Sequence, residues 1–399
     1  MKSKALLILL LICNLGLFAQ RKSYIRNDVD TSSVVFKEIY HFWENYQNDL
    51  FKKLILGDTT INTNKYWADS EIQAYKSPDL ILNSPSIYYL LPEYLIGIEK
   101  RNDTLYEINS VYFSNYSKNP EIVIGFSIFV VQTLQGYKLY NAFTINKSEF
   151  HQKKLKWLQI YYPDHYSFNN DNANKLLDRA QKLASEWGLN DISPIQYYLF
   201  PTYTDMLASL GISIGMDDFV SINEVRKRGF ALNDSRTIFY TQNGEELLHE
   251  IIHILIYDLR GKNQNSQFDE GVCSYFGEHL EKPYKFHAER LKNFLQKNPQ
   301  IDLGISLIGA YLDDHQQYSH DPKWKENSSG EISWFVDDTT NYMYIIMATI
   351  CDIAYKKGGM PLVKKMIIEA QYGDQMYDVI EKNLGIKRSE INAYLRNYL

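Results

Sequence analysis

The spacing of hydrophobic residues divides the chain into a strand-rich first part and a helix-rich second part. Between Ser32 and Leu56, large apolar side chains recur every three or four residues, which predicts one long amphipathic helix. Alternating apolar and polar residues then predict five strands, separated by turn residues such as Gln135-Gly136. The predicted strands cover 87–91, 94–100, 104–113, 121–133 and 137–143. A helix followed by an antiparallel meander is typical of an α+β domain, here spanning residues 20–150.

Helical periods dominate the second part, residues 151–399. A polar, lysine-rich stretch near 144–154 marks the predicted boundary. Helices are predicted from Asp171 to Gly188 and over 202–210, strands over 194–200 and 236–241, and mostly helices after Glu245. The chain as a whole is therefore predicted to be α+β, with a mostly helical C-terminal part.

The first 19 residues have the pattern of a secretory signal peptide. Lys2 and Lys4 precede a short apolar run, and Ala19 is a small residue at the expected cleavage point. The run is broken by Asn14 and is shorter than the roughly 20 apolar residues that a spanning helix needs, although an uncleaved anchor is the competing interpretation. We therefore expect a secreted or periplasmic protein, cleaved after Ala19, with no membrane association once the signal is removed.

Composition and charge narrow the range of partners. The 399 residues are enough for two domains and a sizeable core. A net charge of −6 gives no reason to expect nucleic acid or an anionic membrane surface as a partner. After signal removal only Cys273 and Cys351 remain, which are either paired or two buried free thiols.

The sequence EELLHEIIHIL, residues 245–255, contains the most informative motif. As a helix capped by Asn243 it is apolar nearly all round, so we expect it to be buried. His249 and His253 are four residues apart and so lie on one helical face, while Glu250 lies about 100° away. This H-E-x-x-H spacing is typical of two zinc ligands and a general base. The alternative is an ordinary core helix with two hydrogen-bonded histidines.

A catalytic zinc site needs a third protein ligand. The metzincin arrangement requires a glycine and a histidine where this chain has Ile256 and Leu259, so that class is excluded. Glu270, in the sequence FDEGVCSYF, follows His253 after a polar loop that is long enough for the chain to reverse. A carboxylate from a second helix is the remaining option.

HEIIH followed by DEGVCSYFG resembles the gluzincin metallopeptidases of the thermolysin-like clan. The resemblance extends from about residue 155 to the end and implies a zincin catalytic domain. In this family His249, His253 and Glu270 would bind zinc. Glu250 would take a proton from the zinc-bound water and deliver it to the leaving amine. The strand at 236–241 would be the edge strand that binds the substrate backbone, and the helices from Tyr342 onward would close the cleft.

Two positions depart from the family pattern. Ser274 stands where relatives have an aspartate that orients the first histidine. The sequence also leaves several candidates for the residue that stabilises the oxyanion. Tyr342 is the first candidate, Tyr344, Tyr318 and His320 are alternatives, and Tyr342 as a packing residue is an equal possibility.

The remaining histidines and the first domain carry no predicted chemistry. His279 and His287 fall in a charged region, and His315 and His320 are expected in a solvated loop. The first domain resembles the cystatin-like or NTF2-like arrangement in element order alone, and we expect it to be an accessory.

These observations predict an exported zinc-dependent metallopeptidase that acts on peptides or proteins. The alternative is an extracytoplasmic binding or adaptor protein that keeps a weak or inactive peptidase fold. A third possibility is zinc-dependent hydrolysis of a non-peptide amide.

Overall fold

The computed structural model describes residues 23–399, with gaps. Outside the described residues lie 1–22, 28, 30, 56, 73–92, 115–120, 148–149, 214–228, 242–243, 262–266, 280–281, 305–334, 338–339 and 371–374. The predicted signal peptide, the strand predicted at 87–91, and His315, Tyr318 and His320 therefore lie outside them.

Thirteen strands and eleven α-helices lie within the described residues. The strands are β1 (Ser23–Ile25), β2 (Glu93–Lys100), β3 (Leu105–Ser114), β4 (Glu121–Thr133), β5 (Gly136–Tyr140), β6 (His151–Leu155), β7 (Leu158–Tyr162), β8 (Ile195–Phe200), β9 (Ile212–Ser213), β10 (Gly229–Leu232), β11 (Thr237–Thr241), β12 (Phe335–Asp337) and β13 (Thr340–Asn341). The helices are α1 (Val34–Ile55), α2 (Asp69–Ile72), α3 (Ala142–Asn146), α4 (Asn170–Glu186), α5 (Tyr203–Ser209), α6 (His249–Arg260), α7 (Gln267–Phe276), α8 (Tyr284–Lys297), α9 (Tyr342–Glu369), α10 (Gln375–Leu384) and α11 (Ile391–Tyr398). The predicted α+β class is confirmed.

The chain forms two compact units. The first contains Met1–Phe150 together with Thr204–Asn223, and the second contains His151–Tyr203 and Glu224–Leu399. The strand β9, although it follows β8 in sequence, pairs antiparallel with β4 of the first unit. A segment from the second half of the chain thus completes the sheet of the first unit.

The first unit is a sheet in the order β1-β2-β3-β4-β5 with β9 paired to β4, together with helix α1. Strands β2 to β5 form the predicted antiparallel meander. Trp43 of α1 is fully buried, and its Nε1 donates to Glu93 Oε1 of β2 at 2.9 Å, which ties the helix to the sheet. The last predicted strand ends early, at Tyr140, because Asn141 begins the short helix α3, in which Ala142 and Phe143 are buried.

The second unit has a five-stranded sheet in the order β10-β11-β8-β7-β6. The three inner strands are parallel, and β10 and β6 pair antiparallel at the two ends. The strands β6 and β7 were not predicted. Because β6 is an end strand with four exposed side chains, Lys153 and Lys154 among them, its sequence has the polar character of a linker.

The prediction that 236–241 is an edge strand is wrong. The corresponding strand, β11, lies between β8 and β10, and all five of its residues are buried. The end strand on this side is β10, a run of four half-buried residues that is too short to produce a recognisable alternation.

The rest of the second unit is helical. Helix α9 begins at Tyr342, as predicted, and continues to Glu369 through a kink at Gly359, where φ is +64°. No helix within the described residues combines the length and apolar character needed to cross a membrane.

Candidate metal centre

The helix that carries the two histidines begins later than its sequence suggests. A 3₁₀ turn covers Gly244–Glu246, and α6 starts at His249 with no side-chain cap. The predicted cap, Asn243, lies outside the described residues. Glu245 is buried and accepts hydrogen bonds from the Tyr166 hydroxyl and from the Asn169 backbone N–H, the latter at 3.0 Å. This carboxylate therefore anchors the entry to α6 instead of lying within its first turn.

One face of α6 belongs to the core, and the other carries the candidate ligands. Five of its six isoleucine and leucine residues are buried: Ile251, Ile252, Ile254, Leu255 and Ile256. The side chains of His249 and His253 keep 14% and 16% exposure. The helix is thus a core helix whose imidazoles still face accessible space.

Helix α7 brings Glu270 to both imidazoles. Glu270 Oε2 lies 3.4 Å from His249 Nε2 and 3.6 Å from His253 Nε2. Two nitrogen or oxygen ligands of a tetrahedral zinc ion, each about 2.0–2.1 Å from the metal, are about 3.3–3.4 Å apart. The distance from Glu270 Oε2 to each imidazole nitrogen is therefore close to the separation of two ligands of one zinc ion.

The charges within this cluster reinforce each other. Burial by itself lowers the pKa of His253, but its electrostatic interactions with the neighbouring Cys273 and Glu270 side chains outweigh it and hold that pKa well above its ordinary value. Burial by itself raises the pKa of Glu270, but the two histidines outweigh it and hold that pKa well below the usual range. Glu270 is therefore an anion, which suits a metal ligand.

A buried ion pair fixes the start of α7 against the end of α6. The Arg260 guanidinium donates to both carboxylate oxygens of Asp269, with Nη1 at 2.7 Å from Oδ2, and its Nε donates to the Ile367 carbonyl at 2.9 Å. The side chains of Arg260 and Asp269 are only 7% and 4% exposed. The ion pair of Asp269 thus fixes the backbone next to Glu270. Its carboxylate is directed at Arg260 and not at a histidine.

Gly271 allows α7 to pack directly on α9. A Cβ atom at this position would lie 2.4 Å from the carbonyl carbon and 2.5 Å from the Cβ of Met347. The glycine that follows the third ligand is therefore required by the closeness of the two helices.

We expect Gly271→Ala to lower the free energy of unfolding by about 1–3 kcal/mol, the usual cost of overpacking. Because the displaced helix also carries Glu270, zinc affinity should fall with it. Urea unfolding and zinc titration measure the two effects. Gly97→Ala is the control, since its new methyl group would meet nothing within 4 Å. Equal stability of Gly271→Ala and wild type would contradict this account of the packing.

A backbone carbonyl orients the first histidine. His249 Nδ1 lies 3.0 Å from the carbonyl oxygen of Glu278, just beyond α7. Ser274, at the position of the family's aspartate, is fully buried, and its Oγ has no hydrogen-bond partner among the described residues. Gly277 lets the loop approach so closely that a Cβ there would lie 2.7 Å from His249 Cα. The orienting group is thus the Glu278 carbonyl, which a side-chain pattern cannot reveal.

His279 and His287 are buried beside the cluster, in contrast to the expected charged region. The His279 ring is centred 6.3 Å from that of His249 and 5.2 Å from those of His287 and Tyr344. Burial, followed by the two neighbouring histidines, lowers the pKa of His279 to about 3, so its ring is neutral. His287 is held on both nitrogens, by Thr340 Oγ1 at 3.0 Å and the His279 carbonyl at 2.7 Å.

The predicted catalytic residues Glu250 and Tyr342 lie on the two helices that flank α7. Glu250 is half-buried on α6, and its charge contributes, after burial and Tyr240, to the raised pKa of Tyr197. Tyr342 is the first residue of α9 and is 4% exposed. Tyr344, one of the alternatives to Tyr342, is the residue whose ring stacks edge-on against His279. The roles of both tyrosines stay predictions.

Sequence reasoning gave no site role to Cys273. Together with His249 and His253 it forms a group in which the ligand atoms lie within 4.8 Å of one another. Cys273 and Cys351 are both free, buried thiols. The sequence spacing could have indicated its proximity, because Cys273 is three residues beyond Glu270 and so lies on the same helical face.

The chain matches no protein-family model and no curated protein. Assignment of the chain to a family is therefore a proposal that depends on its own residues.

Proposed function

We propose that this protein is an exported zinc-dependent metallopeptidase of the gluzincin type. The observation that carries the proposal is the convergence of His249 Nε2, His253 Nε2 and Glu270 Oε2 at 3.4 and 3.6 Å. Two imidazoles and one carboxylate are a donor set suited to catalytic zinc, and they leave one position of a tetrahedral ion open.

The chain's own residues would divide the work as follows. His249, His253 and Glu270 hold the ion, and the Glu278 carbonyl keeps the His249 ring turned toward it. A zinc ion bound there supplies Lewis acidity and lowers the pKa of a bound water. Glu250 accepts the proton of the attacking water and delivers it to the leaving nitrogen. Tyr342 or Tyr344 would donate to the developing oxyanion.

The sheet of the second unit supports a peptide as substrate. The end strand β10 packs against α6 and pairs on one side with β11. Among the described residues β10 has no partner strand on its other side, so an extended peptide could add there through main-chain hydrogen bonds, as in β-strand addition. Three parallel strands bordered by an antiparallel strand beside the ligand helix also support a thermolysin-like arrangement for this unit. We therefore propose that β10, and not the strand at 236–241, is the edge strand that binds the substrate backbone.

Metal content tests the proposal first. We expect about one zinc ion per chain in the purified protein, since three protein ligands define one site. Glu270→Gln and His253→Asn should reduce this to near zero, measured by elemental analysis after dialysis against a weak chelator. The controls are the same changes at exposed positions, Glu289→Gln and His151→Asn.

The outcomes separate the candidate functions. Loss of zinc from the two site variants, with cleavage of a peptide library by wild type, supports the peptidase. Stoichiometric zinc without cleavage of any peptide would instead indicate the binding or adaptor protein. Retention of zinc by both Glu270→Gln and His253→Asn would exclude this ligand set.

A further inference from the structure

Cys273 is a buried core residue that also lies close to the candidate ligands His249 and His253. Its side chain is fully buried on α7, one turn beyond Glu270. Its sulfur also belongs to the group formed with the two histidines, in which ligand atoms lie within 4.8 Å of each other. Cys351 is equally buried on α9 but is not part of that group.

These separations are within reach of metal coordination. A thiolate sulfur about 2.3 Å from a tetrahedral zinc ion is about 3.6 Å from an imidazole nitrogen on the same ion. Closing from at most 4.8 Å to that distance requires a movement of about 1 Å. Cys273 and the two histidines then converge on one metal position, and Glu270 Oε2 lies 3.4 and 3.6 Å from the same two imidazoles.

A fourth protein ligand changes what the site can do. Zinc sites with four protein ligands are closed and structural, whereas catalytic sites keep a position for water. A buried thiol is also a preferred zinc ligand, because soft sulfur donors bind zinc well. A metal held by all four residues has no place for the attacking water until one ligand leaves.

We propose that Cys273 is a fourth ligand of the metal and that its sulfur occupies the position that hydrolysis requires. This inference rests on the proposed metal site and adds a latent state to it. On binding, the thiol releases its proton to the solvent and its sulfur takes the place of a water molecule. When the sulfur leaves, it regains a proton and water returns. The protein is then isolated as a zinc form that hydrolyses peptides slowly, and this slow cleavage distinguishes the latent state from the binding or adaptor protein, which cleaves none.

Cobalt substitution tests the sulfur–metal bond without depending on activity. The zinc-free protein, loaded with one equivalent of Co²⁺, should show a thiolate-to-cobalt charge-transfer band in the near ultraviolet. Cys273→Ala and Cys273→Ser should lose this band while still binding one Co²⁺. Cys351→Ala should keep it, which makes it the matched control for removal of a buried thiol. Circular dichroism checks that each variant is folded.

The zinc forms provide a second measurement. Removing the sulfur frees the water position, so zinc-loaded Cys273→Ala should hydrolyse peptides faster than wild type. Wild type that binds Co²⁺ without a charge-transfer band would overturn the inference and leave the proposed function intact. Failure to bind Co²⁺ or Zn²⁺ at all would overturn the proposed function itself. A band that persists in Cys273→Ala would show that Cys273 is not its source and would also overturn the inference.

Discussion

Glu250→Gln is expected to lower the rate of peptide hydrolysis by about 10²–10⁴-fold, the usual contribution of a general base, without loss of zinc. Glutamine has nearly the same size and helix propensity as glutamate, but its amide cannot accept the proton of the attacking water. Glu250 also lies about 100° around α6 from His249, so its removal should leave the ligand set intact. The effect should therefore fall on kcat more than on KM.

The measurement uses zinc-loaded protein and a fluorogenic peptide selected from a library cleaved by wild type. Elemental analysis of the same samples confirms that Glu250→Gln keeps about one zinc per chain, as expected for a site with three other ligands. Glu289→Gln, an exposed position on α8, should hydrolyse the peptide like wild type. Hydrolysis by Glu250→Gln at the wild-type rate would rule out Glu250 as the base.

Asp269→Leu is expected to lower the free energy of unfolding by about 3–5 kcal/mol, because it leaves the Arg260 guanidinium buried without its partner. Both side chains of this pair are almost completely buried, so solvent cannot replace the lost carboxylate. Urea unfolding of zinc-free protein isolates this effect from the stabilisation that bound metal provides. A second expected consequence is weaker zinc binding, since Asp269 is adjacent to Glu270.

A double variant separates the buried charge from the loss of packing. Arg260→Leu combined with Asp269→Leu leaves no unpaired charge and should lose less stability than Asp269→Leu alone. Asp103→Asn, which breaks the exposed Lys100–Asp103 pair, is the control and should change stability by about 1 kcal/mol or less. If Asp269→Leu were as stable as wild type, the ion pair would not be what fixes α7.

For the strand at 236–241 and for Glu245, the deciding contacts come from distant parts of the chain. The strand at 236–241 has the right length and composition for either an edge or an inner position. Only its pairing with β8 and β10 makes it an inner strand. The strand β6 was missed because an exposed end strand carries polar side chains like those of a linker. The sequence places Glu245 in the first turn of the helix. In the structure its carboxylate instead accepts hydrogen bonds from Tyr166 and Asn169, ahead of the start of α6.

The sequence by itself determined the parts of the site that depend on helical spacing. A separation of four residues places His249 and His253 on one face of any α-helix, and it moves Glu250 off that face. The long helix α1, the strands β2 to β4 and the start of α9 at Tyr342 followed from local periodicity in the same way.

Only the tertiary structure decided what surrounds those residues. It placed Glu270 at 3.4 and 3.6 Å from the imidazoles, turned the Glu278 carbonyl toward His249 and buried His279 beside it. It also brought the Cys273 sulfur within reach of both histidines. The physical reason is that local spacing fixes the direction of a side chain on its own helix. The separation between helices depends instead on distant contacts, here the Arg260–Asp269 pair and the packing of Gly271 on Met347.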